Sequence, residues 1–200
     1  MNERVNRDMG AAVAIEYDAE LMLRVKEGDN ASFTILLDKY RGPVIHFLYR
    51  MVQINSVSEE LAQEVFLRVY RSRTSYEPTA KFTTWLFRIA THLALNWLRD
   101  GRHEKSNESL DVESETTPVR QVADRSLSIE QNLVYRTKLD EVRRAVAALP
   151  EKQRAAVLMH KYEEMEYSQI AKVLGCSESA VKSLLFRAYE ALRARLAHMA

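Results

Sequence analysis

Apolar residues recur every three or four positions through two blocks of this 200-residue chain, which is the spacing of residues on one face of an α-helix. The first block begins near residue 18. Its first two helices are separated by the polar stretch EGDNAS, where Asp29 or Asn30 can cap the second helix. Within that second helix, the pair Gly42-Pro43 predicts a kink or a short break.

Two more amphipathic helices follow in the first block. The segment SVSEELAQEVFLRVYRSR places Leu61, Val65 and Tyr70 inward, and its acids come early and its arginines late, as the helix dipole favours. After the break TSYEPTAK, the segment FTTWLFRIATHLALNWLRDGR has an apolar face made of Phe82, Trp85, Leu86, Ile89, Leu93 and Trp97. Near the opposite face it carries Thr84, Arg88, Thr91, His92 and Arg99.

The periodicity stops between residues 101 and 128, where the sequence is polar and rich in Ser, Thr and Glu, as linkers are. Helical spacing resumes with IEQNLVYRTKLDEVRRAVAAL and restarts at Pro150, near the first turn of the next helix. Only five Gly and four Pro occur in the chain, which favours helices over strands. We therefore predict an all-α protein with an N-terminal tail (1–17), two small helical domains (18–100 and 129–200) and a flexible acidic linker (101–128).

The segment YSQIAKVLGCSESAVKSLLFRAYEALRARL has the pattern of a helix-turn-helix. Ala171 is small where the two helices would approach, Gly175 tolerates the positive φ of the turn, and Ser177 can cap the second helix. Val181 and either Leu184 or Leu185 would hold the second helix against the first. In this motif the N-terminal part of the second helix enters the major groove of DNA. The candidate DNA contacts on its outer face are Ser177, Glu178, Ser179, Lys182, Ser183, Phe186 and Arg187.

The net charge of +1 conceals an uneven distribution. Residues 81–105 and residues 167–200 each carry five Lys or Arg against two acids, whereas residues 106–128 carry five acids against two Arg. Two basic segments flanking an acidic one favour contact with a polyanion at two places, although charged faces are most often simply solvated.

Catalytic and metal chemistry find little support in the sequence. The five histidines are scattered, the single cysteine, Cys176, cannot build a thiolate metal site, and no glycine-rich phosphate loop occurs. We expect Cys176 to be a small buried apolar residue. We therefore predict neither an enzyme nor a bound cofactor or metal. The absence of a long apolar run and of a disulfide framework favours a soluble protein of the cytoplasm without membrane insertion.

Three segments in this order resemble one family. SEELAQEVFLRVYR, then FTTWLFRIATHLALNWLR, and after the polar linker ALPEKQRAAVLMHKYEEMEYSQIAKVLGCSESAVKSLLFRAYEALR are similar to the extracytoplasmic-function sigma factors of the sigma-70 family, a bacterial group. The resemblance covers about residues 18–198. It implies two helical domains that bind core RNA polymerase and together recognise a promoter.

The resemblance also implies a role for each segment. Residues 59–73 correspond to the helix that docks on the clamp of the largest polymerase subunit, with candidate contacts Glu60, Leu61, Gln63, Glu64, Phe66 and Arg68. Residues 75–99 correspond to the element that captures and melts the −10 region, a task suited to aromatic and basic side chains. Its candidate contacts are Tyr76, Lys81, Phe82, Thr84, Trp85, Arg88, His92, Asn96 and Arg99, of which Phe82 and Trp85 also suit a core. The helix after Ser177 corresponds to the −35 recognition helix.

The partners implied by the resemblance are the clamp, the flap of the second largest polymerase subunit, promoter DNA and, as in many members, an anti-sigma factor. We expect a monomer. A linker of about 25 residues can extend roughly 80 Å, enough to join contact sites up to two DNA turns, about 68 Å, apart. Two alternatives remain. A polymerase-independent helix-turn-helix regulator would leave the first block unexplained, and a helical protein-interaction module would leave the two basic segments unexplained.

Overall fold

The computed structural model describes residues 17–107 and 129–199, and these two ranges are helical without a strand. The helices are α1 (17–26), α2 (Asn30–Val52), α3 (Asn55–Arg71), α4 (Phe82–Asn107), α5 (Ile129–Ala147), α6 (Glu151–Tyr162), α7 (Tyr167–Leu174) and α8 (Glu178–Leu196). Short 3-10 turns occur at Arg73–Ser75 and Ala197–Met199. The prediction of an all-α fold is confirmed. None of the helices in the described ranges combines the length and apolar character that crossing a membrane requires.

Helix α2 begins at the predicted cap and continues through the predicted break. The carboxylate of Asp29 accepts hydrogen bonds from the N–H groups of Ala31 and Ser32, at 2.9 and 3.3 Å, and from the Ser32 hydroxyl at 2.7 Å. Of the two alternatives predicted at Gly42-Pro43, the short break is wrong, because α2 is continuous with Pro43 inside it, and the kink stays a prediction. Pro43 lies on the exposed side, where water can satisfy the carbonyl that loses its partner, and buried residues before and after it hold the helix in place.

The end of the first block differs from the prediction. Helix α4 continues to Asn107, so the first seven residues of the expected linker are helical. The segment GRHEKSN contains no proline and has helix-forming Glu and Lys, so the sequence places no barrier to the backbone bonds that continue the helix. The rest of the predicted linker, residues 108–128, and the predicted tail up to residue 16 lie outside the described residues.

The first domain is a bundle in which α2, α3 and α4 pack on one another. Its core includes Phe47 of α2 and Phe87 of α4, whose rings meet edge to face with centroids 5.2 Å apart. Val65 and Val69 of α3 are fully buried beside them. In the second domain, α6, α7 and α8 pack together around Leu158, Ile170, Val181 and Leu185. The buried apolar residues of the two domains join in one continuous core.

The two domains also pack against each other. The guanidinium of Arg154 in α6 donates hydrogen bonds to the carbonyls of Met51 in α2 and of Ala147 and Leu149 in its own domain. The guanidinium of Arg50 lies 4.0 Å from the ring centroid of Tyr162, and the amide of Gln169 donates to the hydroxyl of Thr84 at 3.3 Å. These contacts join the ends of α2 and α6, and join α7 to α4, in a closed arrangement.

Candidate nucleic-acid and polymerase interfaces

The helix-turn-helix forms as the sequence predicts. Gly175 ends α7 with a φ of 64°, and its N–H donates to the carbonyl of Ala171. The hydroxyl of Ser177 then caps α8 by accepting from the N–H of Ala180 at 3.2 Å. Cys176, expected to be buried, is half-buried beside the turn. Leu185 is buried, whereas Leu184 is only partly so, which settles the alternative left open by the sequence.

The outer face of α8 is open to solvent. All seven residues predicted to contact DNA there are exposed, and Phe186, at 68%, is the most exposed large apolar side chain among the described residues. The Ser183 hydroxyl donates to the carbonyl of Ser179, so its oxygen remains able to accept a hydrogen bond. Lys182 and Arg187 add positive charge to the same face. The surface therefore combines cations, hydroxyls and one exposed aromatic ring.

A second polar surface lies along α4, and we call it the α4 ladder. Arg88, His92, Asn96 and Arg99 are all exposed and follow one another at intervals of three or four residues, so they share one face of the helix. Partial burial, together with the charge of Arg88, lowers the pKa of His92. At neutral pH its imidazole is therefore uncharged, with one nitrogen able to donate and the other to accept. Lys81, just before the helix, is also exposed.

The aromatic residues predicted for the −10 element lie elsewhere. Tyr76 and Phe82 are buried, and Trp85 is half-buried with its ring centroid 4.9 Å from that of Tyr76. Phe82 also packs on Tyr40 of α2, at 5.4 Å between centroids. In this arrangement they form a core cluster, and only Trp85 presents part of its ring to solvent. Contact of Tyr76 and Phe82 with bases stays a prediction, and it requires a change of conformation; contact of Trp85 with bases also stays a prediction.

Two threonines expected on the polar face of α4 are buried. Thr84 is 3% exposed, because α7 covers it through Gln169. Thr91 is fully buried because it lies four residues after Phe87 and three before Ala94, on a second apolar stripe of the helix. Helix α4 packs on α2, α3 and α7, so it needs more than one apolar face. The sequence prediction, which assumed one apolar face, therefore underestimated how much of α4 is covered by neighbouring helices.

On α3, the polar residues predicted to contact polymerase are accessible, whereas the two predicted apolar contacts are partly or fully buried. Glu60, Gln63 and Arg68 are exposed, and half-buried Glu64 accepts from Arg68 Nε at 2.6 Å. This ion pair lowers the pKa of Glu64. Leu61 is half-buried and Phe66 is buried, so the two apolar residues chosen from the sequence belong partly or wholly to the core.

The sequence interpretation missed the exposed apolar residue of this helix. Leu67 is 48% exposed and lies four residues after Gln63, on the same outer face. A helical projection anchored on Ala62, Val65 and Val69 would have placed Leu67 outside and Phe66 inside. The outer face of α3 thus offers one large apolar side chain surrounded by charged and amide groups.

Comparison with known families matches both blocks. Residues 36–104 match the family Sigma-70 region 2, and residues 139–192 match the family Sigma-70, region 4. The ECF RNA polymerase sigma-E factor of Escherichia coli (strain K12) is 32% identical over 177 residues, which cover 88% of this chain and 92% of that protein. The RNA polymerase sigma-H factor of Pseudomonas aeruginosa is 29% identical over 178 residues, with the same two coverages.

Solved structures share the fold. CnrH in complex with the cytosolic domain of CnrY superposes with a TM-score of 0.66 at 20% identity, covering 92% of this chain and 99% of that one. The sigma factor RpoE in complex with the anti-sigma factor NepR from Bartonella quintana gives a TM-score of 0.65 at 21% identity, covering 82% and 96%. Since region 2 and region 4 fall in order on the two helical domains, the chain belongs to the extracytoplasmic-function sigma factors of the sigma-70 family.

Proposed function

We propose that this promoter-specific transcription initiation factor divides its work among three surfaces: α3 binds core RNA polymerase, the α4 ladder engages the −10 element, and the outer face of α8 recognises the −35 element. The observation that carries the proposal is the face of α8. Its seven candidate contacts are all exposed, while Val181, Leu185 and Ala188 on its other side are buried. This arrangement leaves a complete recognition surface on a helix whose start is already capped.

The −35 contact follows from the chemistry of α8. Lys182 and Arg187 can neutralise phosphates or donate to guanine in the major groove, and Ser177 and Ser179 can bond phosphate oxygens or base edges. The exposed ring of Phe186 offers apolar contact with a thymine methyl group. Because α8 is docked through its buried face, DNA can approach the outer face without displacing any part of the described domain.

Contact with a melted −10 element requires positive charge for the phosphates and aromatic rings on which unpaired bases can stack. Lys81, Arg88 and Arg99 supply cations along one side of α4, and His92 and Asn96 supply neutral donors and acceptors between them. The half-buried Trp85 is the aromatic ring best placed to stack on an unpaired base, since Tyr76 and Phe82 are buried. We therefore assign contact with the DNA phosphates to the exposed cations and base stacking to Trp85.

The polymerase contact is assigned to the outer face of α3. Leu67 is its apolar centre, and Glu60, Gln63 and the Glu64–Arg68 pair surround it. An apolar anchor inside a polar rim is the usual composition of an energetically important contact. The partner surface is the clamp of the largest polymerase subunit, and the second domain docks on the flap of the second largest. By likeness to the RpoE–NepR complex, an anti-sigma factor is a further proposed partner.

We propose that the closed arrangement opens when both promoter elements are recognised together. Gln169 touches Thr84, and Ser177 follows Gln169 by eight residues, which span at most about 29 Å. Arg88 lies one helical turn, about 6 Å, beyond Thr84. The near ends of the two proposed DNA surfaces, at Ser177 and Arg88, therefore lie within roughly 45 Å of each other, counting side chains, whereas contact sites two DNA turns apart are separated by about 68 Å. Separation of the domains would bring the spacing of the two surfaces closer to that of such sites.

The test is transcription in vitro with core RNA polymerase on fragmented DNA from the host, with and without the protein. We expect discrete new transcripts that require the protein, and their start points define the promoters. A chain that binds neither polymerase nor promoter DNA would contradict the proposal. Specific DNA binding without any polymerase contact would instead indicate a helix-turn-helix regulator.

A further inference from the structure

A buried carboxylate ties α1 to the first domain. Asp18 is 5% exposed, and its two oxygens accept hydrogen bonds from Lys39 Nζ at 2.6 and 2.7 Å. The same carboxylate accepts from the hydroxyl of Tyr40. A buried charge of this kind needs such partners because burial alone would disfavour it strongly. Asp18 thus fixes the beginning of α1 to the middle of α2.

Tyr40, whose hydroxyl donates to Asp18, belongs to an aromatic cluster at the start of α4. The ring of Tyr40 packs on Phe82, with centroids 5.4 Å apart, and Phe82 packs on Trp85 at 5.9 Å. Tyr76 meets Trp85 at 4.9 Å and Phe82 at 6.4 Å. The buried Tyr76 hydroxyl has no hydrogen-bond partner among the described residues. Asp18 lies near enough to Tyr76 that its charge, after burial, adds to raising the pKa of that hydroxyl.

The C-terminal end of α1 also contacts Tyr76, through a hydrogen bond to its backbone. Lys26 Nζ donates to the carbonyl of Tyr76 at 3.1 Å. This bond is made to the backbone at the start of residues 76–81, a segment without regular secondary structure whose side chains at 77–79 and 81 are exposed. The backbone bonds of this segment are all local in sequence: the Tyr76 N–H donates to the Arg73 carbonyl, the Thr79 N–H donates to the Glu77 carbonyl, and the Lys81 carbonyl accepts from the first turn of α4. Helix α1 therefore supports the segment from both of its ends.

We propose that Asp18 and Lys26 are positioning residues for promoter opening: through Tyr40 and the Tyr76 carbonyl they hold residues 76–81 and Trp85 in the geometry that engages single-stranded −10 DNA. This role rests on the proposed function of the α4 surface. A segment ordered in advance loses less conformational freedom on binding, so its support contributes to affinity and to discrimination between bases. Neither residue needs to touch DNA for this effect.

Lys26→Met is the decisive variant, because it removes one part-buried hydrogen bond made by an exposed residue and leaves the buried core unchanged. The matched control is Arg24→Met, which removes a cation from the same helix whose partner is the exposed Glu20. The measurements are permanganate reactivity of −10 thymines and the transcript ratio between a promoter and its single-base −10 variants, with polymerase affinity and thermal unfolding followed in parallel. We expect Lys26→Met to lose about tenfold in opening and discrimination, the equivalent of one charge-assisted hydrogen bond.

Three further variants test the positioning role. Arg24→Met should behave as the unmodified protein, and Lys26→Arg, which keeps a donor, should restore opening. Equal opening by Lys26→Met and Arg24→Met, or a loss that Lys26→Arg shares, would overturn the positioning role. Asp18→Asn should show the same defect with lower thermal stability. Failure of the proposed function itself would look different, because the unmodified protein would then leave the −10 thymines unreactive.

Discussion

The two helices proposed to contact DNA differ in how much of their predicted contact surface is accessible. Helix α8 packs through one face, and every residue predicted for DNA contact stands free on the other. Helix α4 is covered on several sides, Thr84 lies beneath α7, and the aromatic residues before and within its first turn are buried or half-buried. Intact duplex can be recognised by a rigid, preformed face. The surface proposed for the −10 element is only partly accessible in the closed arrangement, because α7 covers Thr84 and because Tyr76 and Phe82 are buried.

The largest effect is expected on the preformed surface. Replacing both Lys182 and Arg187 with Ala should reduce −35-dependent promoter use on the order of 100-fold, since each basic contact contributes about 1–3 kcal/mol. Polymerase binding should not change. Transcription and a polymerase pull-down measure the two properties. The paired replacement of Lys138 and Lys152, exposed lysines of α5 and α6, is a charge-matched control and should retain promoter use.

Two neighbouring residues of α3, exposed Leu67 and buried Phe66, allow polymerase binding to be separated from folding of the first domain. Leu67→Asp should weaken polymerase binding at least about tenfold with the helical circular dichroism unchanged, because an exposed apolar anchor is lost. Phe66→Asp should instead unfold the first domain, because it buries a charge in the core. Polymerase binding by Leu67→Asp equal to that of the unmodified protein would show that the clamp contacts another face.

The closed arrangement should respond to pH. Burial raises the pKa of Glu163 to about 7, against the opposing charge of Arg50 in the other domain. The closed state therefore binds more protons than a state in which Glu163 is solvated, whose pKa is near 4.5. Its stability is complete at low pH and declines as the pH rises toward and through about 7. Energy transfer between dyes on the two domains should fall over this range, and Glu163→Gln should remove the dependence.

The smallest effects concern the start of α8. Ser177→Ala removes the cap and should lower the free energy of unfolding of the second domain by about 1 kcal/mol, as thermal or urea unfolding would measure. Ser183→Ala removes only a bond to the carbonyl of Ser179 inside the helix and should change stability by less than about 0.5 kcal/mol. Equal losses would show that the cap is not what keeps the recognition helix preformed.

Much of the fold was predictable because local rules and packing agree. The cap at Asp29, the turn at Gly175 and the cap at Ser177 are satisfied within a few residues, so the sequence carries them directly. The break expected at Gly42-Pro43 did not occur, because burial along α2 outweighs one missing backbone bond. Phe66 was chosen instead of its neighbour Leu67, although the two differ by about 100° around the helix, because the inward face was anchored on Leu61, Val65 and Tyr70 rather than on Ala62, Val65 and Val69, which separate them.

By itself, the sequence determined the order of the helices, the helix-turn-helix and the outer face of α8, since a helix that packs on one side shows its exposed residues through their spacing. The tertiary structure decided which residues of α4 remain accessible, because packing on three helices covers polar positions such as Thr84 and Thr91. It also decided that Arg154 joins the two domains and that α1 supports residues 76–81. These contacts join residues 50 or more positions apart, and such distant pairs leave no periodic trace in the sequence.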